Sequence, residues 1–97
     1  MKHELKIWPQ YYCRVAAGTK TFEVRKNDRG FQPGDVVILR EYDPSRLVHS
    51  VSEEYGFTNS PELSFRVGYV LPIDAERVVF SLLPIGKNES EFICSHD

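Results

Sequence analysis

The run Gly18-Thr19-Lys20-Thr21-Phe22-Glu23-Val24-Arg25-Lys26-Asn27-Asp28 constrains this chain more than any other stretch. Gly18 is the residue type that takes the left-handed conformation in which a helix stops. From Thr21 to Arg25 polar and apolar residues alternate, the period of a strand. The alternation predicts that Phe22 and Val24 enter a core. Thr21, Glu23 and Arg25 then share the other face, with Lys20 at the mouth of the strand.

Charges on the outer face of a half-buried strand are ordinary. Cross-strand pairing there is worth only ~0.2–1 kcal/mol. The neighbourhood is what singles this face out. Lys20, Arg25, Lys26 and Arg29 fall within ten residues of a chain whose formal net charge is −2. A local basic cluster on an acidic protein suggests a confined anion site more than a surface that coats nucleic acid. The net charge excludes a histone-like mode of binding, yet leaves room for a local RNA site, because patches make phosphate contacts.

Ninety-seven residues suffice for one domain, taken as residues 1–97, with a modest core. The apolar share of 41% and the charged share of 27% are those of a soluble globular protein. Met1-Lys2-His3-Glu4 has no apolar core of a signal peptide, and no apolar run approaches the roughly 18 residues of a membrane span. A cytoplasmic location is expected, with Cys13 and Cys94 as reduced thiols, although a disulfide between them stays open.

Around the central run the chain reads as short strands and turns. Leu5 and Ile7 alternate with Glu4, Lys6 and Trp8 in a first strand. Pro9 suits the first position of a helix running to about Ala17, with Trp8, Tyr12, Val15 and Ala16 as its inner face. Val36-Val37-Ile38-Leu39 opens a strand that is central or at a barrel position covered on both sides. Asp43–Glu62 is a long loop, read as a plain insertion or a flap over a site, with a helical turn expected near Leu47–Val51. Leu63, Phe65, Val67 and Tyr69 form one face of a further strand, and Val78, Phe80 and Leu82 one face of the last. Residues 86–97 read as a tail or a weakly docked end. The sum is an α+β domain with a small, mostly antiparallel, barrel-like sheet and one helix after the first strand.

Several stretches together resemble the ASCH domains, and more closely their small DUF3850-type branch within the PUA-like superfamily. They are His3-Glu4-Leu5-Lys6-Ile7, Tyr12, Gly18 to Asp28, Gly34-Asp35 and Leu39-Arg40-Glu41-Tyr42-Asp43. The ASCH signature G-x-K-x-x-E-x-R is met at each fixed position by Gly18, Lys20, Glu23 and Arg25. The resemblance is dense over the first 43 residues and looser over Leu63–Leu83. It implies a PUA-like β-barrel with a cleft beside the first helix, lined by the signature and occupied by RNA or a nucleotide-like ligand. Some small members of the ASCH group are amidohydrolases that remove an acyl group from the exocyclic nitrogen of N4-acetylcytidine. They resemble this chain at Lys20, carry a threonine where Glu23 stands, and use a further glutamate from later in the chain, where Glu62 and Glu76 lie.

The residue types fit such ligands. Glu23 suits an exocyclic amine of a base, as acidic side chains suit cytosine N4. Arg25 and Lys26 suit phosphate, one as a fork and one as a point charge. Trp8, Tyr12 and Tyr42 offer stacking faces worth ~1–3 kcal/mol per base, although most aromatics of a small domain are core. His3 and Asn27 are supporting candidates. Lys20 either holds a phosphate or carbonyl, or acts as the nucleophile or base of a hydrolase with Glu23 as proton carrier. The second role requires a neutral amine, and Glu23 favours the charged one, which weights the reading toward binding. His3, His49, His96, Cys13 and Cys94 show no metal-ligand spacing, and no cofactor motif is present.

Overall fold

The computed structural model describes residues 1–47 and 52–85. The strands are β1 (Lys2–Ile7), β2 (Phe22–Lys26), β3 (Val36–Glu41), β4 (Leu63–Pro72) and β5 (Arg77–Leu83), and helix α1 (Pro9–Ala16) follows β1. They form one sheet in the order β1-β3-β4-β5-β2, curled into a half-barrel. β1 runs parallel to β3, and the other pairings are antiparallel. The expected mixed architecture is present: a small, mostly antiparallel, barrel-like sheet with its helix after the first strand.

Alternation explains most of the core. Leu5 and Ile7 of β1, Val37 and Leu39 of β3, Val67 of β4, and Val78, Phe80 and Leu82 of β5 are all buried, together with Val15 and Phe31. β3 is an interior strand, paired on both sides by β1 and β4, and Val37 and Leu39 have no exposed surface. Phe80 stacks on Phe31 with ring centroids 4.8 Å apart. Burying a side chain of this size contributes about 1.5–3 kcal/mol.

Three expectations fail for tertiary reasons. Phe22 and Val24 do not enter the core; each is 44% exposed, and Glu23 between them is buried at 4%. The register of β2 on β5 decides this. Glu23 sits opposite Phe80 and Arg25 opposite Val78, and directly opposed residues share a face. Because Phe80 and Val78 point inward, Glu23 and Arg25 do too. Val24 instead continues an outer row through Val79 to Leu71. Secondly, the β4 register shifts between Val67 and Val70, so Tyr69 turns outward while Val70 packs on the core. At that bulge the Ser81 hydroxyl accepts from the Tyr69 amide at 2.8 Å. Thirdly, only Val15 of the helix is buried; Tyr12 is half-buried, and Trp8 and Ala16 stay exposed. A helix of eight residues has little more than two turns, and only the middle of its inner stripe reaches the core.

The long loop is structured at both ends. Short 3-10 turns span Pro44–Leu47 and Glu53–Gly56. The Asp43 amide donates to Gly56 O at 2.8 Å, and Thr58 and Ser60 hydroxyls donate to Glu41 Oε1. The first turn ends at Leu47, so it begins earlier than the helical turn expected near Leu47–Val51, the rest of which lies outside the described residues. Cys94 and the tail expected from residue 86 also lie outside them, and Cys13 is an exposed free thiol. Among the described residues no helix is long and apolar enough to cross a membrane.

Candidate functional site

The terminal strands of the sheet, β1 and β2, approach each other without a backbone pairing, and the seam between them holds the site. Its construction starts at the end of α1. Gly18 takes φ +83°, its amide donates to Val15 O at 3.1 Å, and the Thr19 amide donates to Arg14 O at 3.0 Å. These are the paired bonds of a Schellman helix end, which require the left-handed residue that glycine supplies. The Lys20 amide also donates to Arg14 O, so the helix end fixes the point from which the lysine side chain leaves.

Lys20, Glu23 and Arg25 form one connected group. Lys20 Nζ donates to Glu23 Oε2 at 2.6 Å and to Phe22 O at 2.7 Å. Arg25 Nε donates to Glu23 Oε1 at 2.9 Å. The Glu23 carboxylate is thus charge-compensated on both oxygens, the condition under which an acid is tolerated in a barrel interior. Arg25 Nη2 reaches across the seam and donates to Lys6 O at 2.9 Å; Arg29 Nη1 donates to Glu4 O at 3.0 Å. These carbonyls lie on the edge of β1 that has no strand neighbour among the described residues, where two guanidinium groups take the place of a ladder.

Above this group opens a groove of about 430 Å³, lined by Lys6, Ile7, Trp8, Tyr11, Lys20, Glu23, Val24 and Arg25. Trp8 and Tyr11 are exposed aromatic rings at its edge. Lys20 Nζ lies 4.9 Å from the Phe22 ring centroid and 5.8 Å from that of Tyr11. A second cavity of about 350 Å³ adjoins it, lined by Glu4, Leu5, Lys6, Arg25, Arg29, Arg40 and Phe57. Lys6 and Arg25 belong to both.

Of the sequence candidates, the structure brings together Lys20, Glu23 and Arg25, with Trp8 at the groove edge. It places the others elsewhere. His3 is buried on the inner face, with Nε2 2.9 Å from Asp35 Oδ2 and its ring 4.8 Å from Phe31. That hydrogen bond, with further help from the Gln32 amide and the N-terminal ammonium, holds the Asp35 carboxyl below its ordinary 3.8. Tyr42 is buried edge-on against Phe57 with Lys6 Nζ over its ring, so it offers no free stacking face. Lys26 and Asn27 are exposed beyond the groove, and Asn27 is tied to the β4–β5 turn through its amide and Glu76 O. Tyr12 donates its hydroxyl to Pro61 O at 2.7 Å. Glu62 lies 3.6 Å from Arg40, and neither it nor Glu76 lines the groove. Among the described residues no three His, Cys, Asp or Glu side chains cluster as metal ligands.

Lys6, Tyr11 and Arg40 were not singled out from the sequence. Lys6 and Arg40 sit inside the matched stretches, but as outward residues of strands they look like solvated charges. Tyr11 lies off the inner stripe of the helix, which is why it is free to face the groove.

Comparison with known proteins places the chain. A 40-residue segment is 42% identical to the "Uncharacterized 12.9 kDa protein in GpA 3'region" of Escherichia phage P2. The match spans 41% of this chain and 37% of the phage protein. A family described as "Domain of unknown function (DUF3850)" matches residues 2–79, which include all five strands in whole or part, the helix and the entire Lys20–Glu23–Arg25 group, and the chain belongs to that DUF3850 family.

Proposed function

We propose that the seam groove binds a nucleobase of RNA or of a nucleotide, and that the half-barrel is a PUA-like domain serving this purpose. The observation that carries the reading is buried Glu23, held between half-buried Lys20 and Arg25, beneath an open groove edged by Trp8 and Tyr11. An ionised carboxylate has about four acceptor positions, and the described bonds use only part of them. Glu23 therefore keeps acceptor capacity for an exocyclic amine, while Lys20 supplies a donor for a ring carbonyl. The exposed aromatic rings supply the stacking that is worth ~1–3 kcal/mol per base.

The test is a binding titration of the four common ribonucleotides and a short single-stranded RNA against wild type, Trp8→Ala and Glu23→Gln. Weakened binding by both folded variants is expected. Affinities equal to that of wild type would remove the groove from consideration.

A second reading, amide hydrolysis of an acylated pyrimidine nucleoside such as N4-acetylcytidine, is favoured by one contact. Lys20 Nζ and Glu23 Oε2 are 2.6 Å apart at the groove, a pair between which a proton can pass during attack on an acyl carbon. Chromatography of acylated cytidine incubated with wild type and with Lys20→Ala decides it. Free cytidine released by wild type alone supports hydrolysis, and no turnover by either leaves binding as the role.

A further inference from the structure

The second cavity has no part in the reading above, and its chemistry differs from that of the groove. Four of its lining residues are cations, Lys6, Arg25, Arg29 and Arg40, against the single carboxylate of Glu4. We propose that it is a phosphate subsite, so that the ligand of the seam is a nucleoside carrying a phosphate on its sugar, free or within a strand, and not a bare nucleoside. The inference rests on the base-binding reading of the adjoining groove.

The cations differ in how they are held. Arg25 and Arg29 are anchored at the carbonyls of Lys6 and Glu4, two residues apart on one strand edge and so roughly 7 Å from each other. That anchoring orients both guanidinium groups in advance, which lowers the cost of ordering them around an anion. Arg40 and Lys6 are held loosely. The Arg40 guanidinium lies over the Phe57 ring, its Cζ 3.9 Å from the ring centroid, with Glu4 and Glu62 oxygens at 3.9 and 3.6 Å. Lys6 Nζ is 3.1 Å from Glu53 Oε1. Exposed ion pairs of this kind contribute about 0–1 kcal/mol each, whereas a phosphate accepts several charge-assisted bonds at once. A phosphate displaces these partners at little cost. The two cavities share Lys6 and Arg25, so a base in one and a phosphate in the other belong to one continuous ligand.

Calorimetric titration of cytidine, adenosine, guanosine and uridine, of their 5′- and 3′-monophosphates and of a short single-stranded RNA tests this on wild type, Arg40→Gln and Arg29→Gln. Arg40→Gln leaves the seam bonds untouched, and a thermal melt controls for folding in both variants. At least one monophosphate is expected to bind about ten- to a hundredfold more tightly than its nucleoside at low salt. That advantage is expected to shrink as salt is raised and to be largely lost in Arg40→Gln, with nucleoside affinity unchanged. Equal affinity of nucleoside and monophosphate overturns the subsite and leaves the base groove standing. Phosphate-dependent binding that Arg40→Gln and Arg29→Gln leave intact also overturns it. Binding of a short single-stranded RNA but of no monophosphate assigns the phosphate to a strand, and failure of every nucleoside, nucleotide and the RNA to bind overturns both readings.

Discussion

Arg25 donates to the main-chain carbonyl of Lys6 at 2.9 Å, across the interval between β1 and β2 that no pairing of the described strands closes. The same guanidinium holds one oxygen of buried Glu23. Two structural debts therefore fall on one side chain. Arg25→Ala leaves a buried carboxylate with Lys20 as its remaining ionic partner and frees a strand-edge carbonyl. The expected loss of stability is about 2–4 kcal/mol, read from the midpoint shift in urea at unchanged slope. Arg25→Lys is expected to recover only part of this, since one ammonium cannot serve both acceptors in the fork geometry. A loss under about half a kcal/mol for Arg25→Ala would show that the seam closes by other means.

Trp8 separates binding from folding more cleanly. It is half exposed, and its ring lies outside the core cluster. Trp8→Ala is expected to change stability by less than about 1 kcal/mol and to weaken base binding by ~1–3 kcal/mol. Thermal melts and titrations on the same preparation check both halves of the expectation.

Acid should act on the fold through Asp35. The His3 hydrogen bond is the main cause of its lowered pKa, so the folded value lies below the ordinary 3.8. A carboxyl lowered in this way stabilises the fold above its unfolded pKa. The contribution is lost as pH falls through the folded value, here below about 4. Stability measured between pH 6 and 2.5 is expected to fall most steeply below pH 4. Asp35→Asn, less stable at neutral pH, should show a flatter profile in that window. Asp74, held at about 2 by Arg77, is exposed and contributes little to the slope.

Gly56 tests how tightly the loop turn seats on Tyr42. A side-chain carbon at this position would collide with the Tyr42 ring. The ring is buried and packed edge-on to Phe57, and so has little room to give way. Gly56→Ala is expected to destabilise the domain by about 1–3 kcal/mol. Gly18→Ala should also cost stability, through its φ of +83° and not through a clash, since no atom of the described residues would meet the added carbon within 4 Å. Paired melts of the two variants distinguish the mechanisms if Tyr42→Ala is combined with each, because only the Gly56 effect should then diminish.

Local chemistry was legible where neighbours in sequence decide it. Pro9 starts the helix, Gly18 ends it, and alternation marks each strand. What could not be read was which face of β2 turns inward. That depends on register against β5, distant in sequence, whose Val78 and Phe80 fix the inner side. The exception occurs where charge and burial coincide: Glu23 reads as a surface residue until Lys20 and Arg25 are seen on its two oxygens. The bulge that turns Tyr69 outward depends on a pairing that no spacing reveals. His3 and Tyr42 were drawn toward the site by residue type, and the structure uses both as packed interior groups.

A closure made by side chains has properties that a closure made by a ladder lacks. On the proposed reading, Arg25 and Arg29 exchange a neutral carbonyl for a charged oxygen of the ligand without breaking any strand pairing. Occupancy of the seam and the latch that shuts it therefore compete for, or share, the same donors. The coupling is reciprocal: whatever free energy a ligand takes from or adds to the latch, the state of the latch returns to the ligand's affinity. Exchange of the Arg25 and Arg29 guanidinium protons, which form the latch, is therefore where binding of the proposed ligand should register.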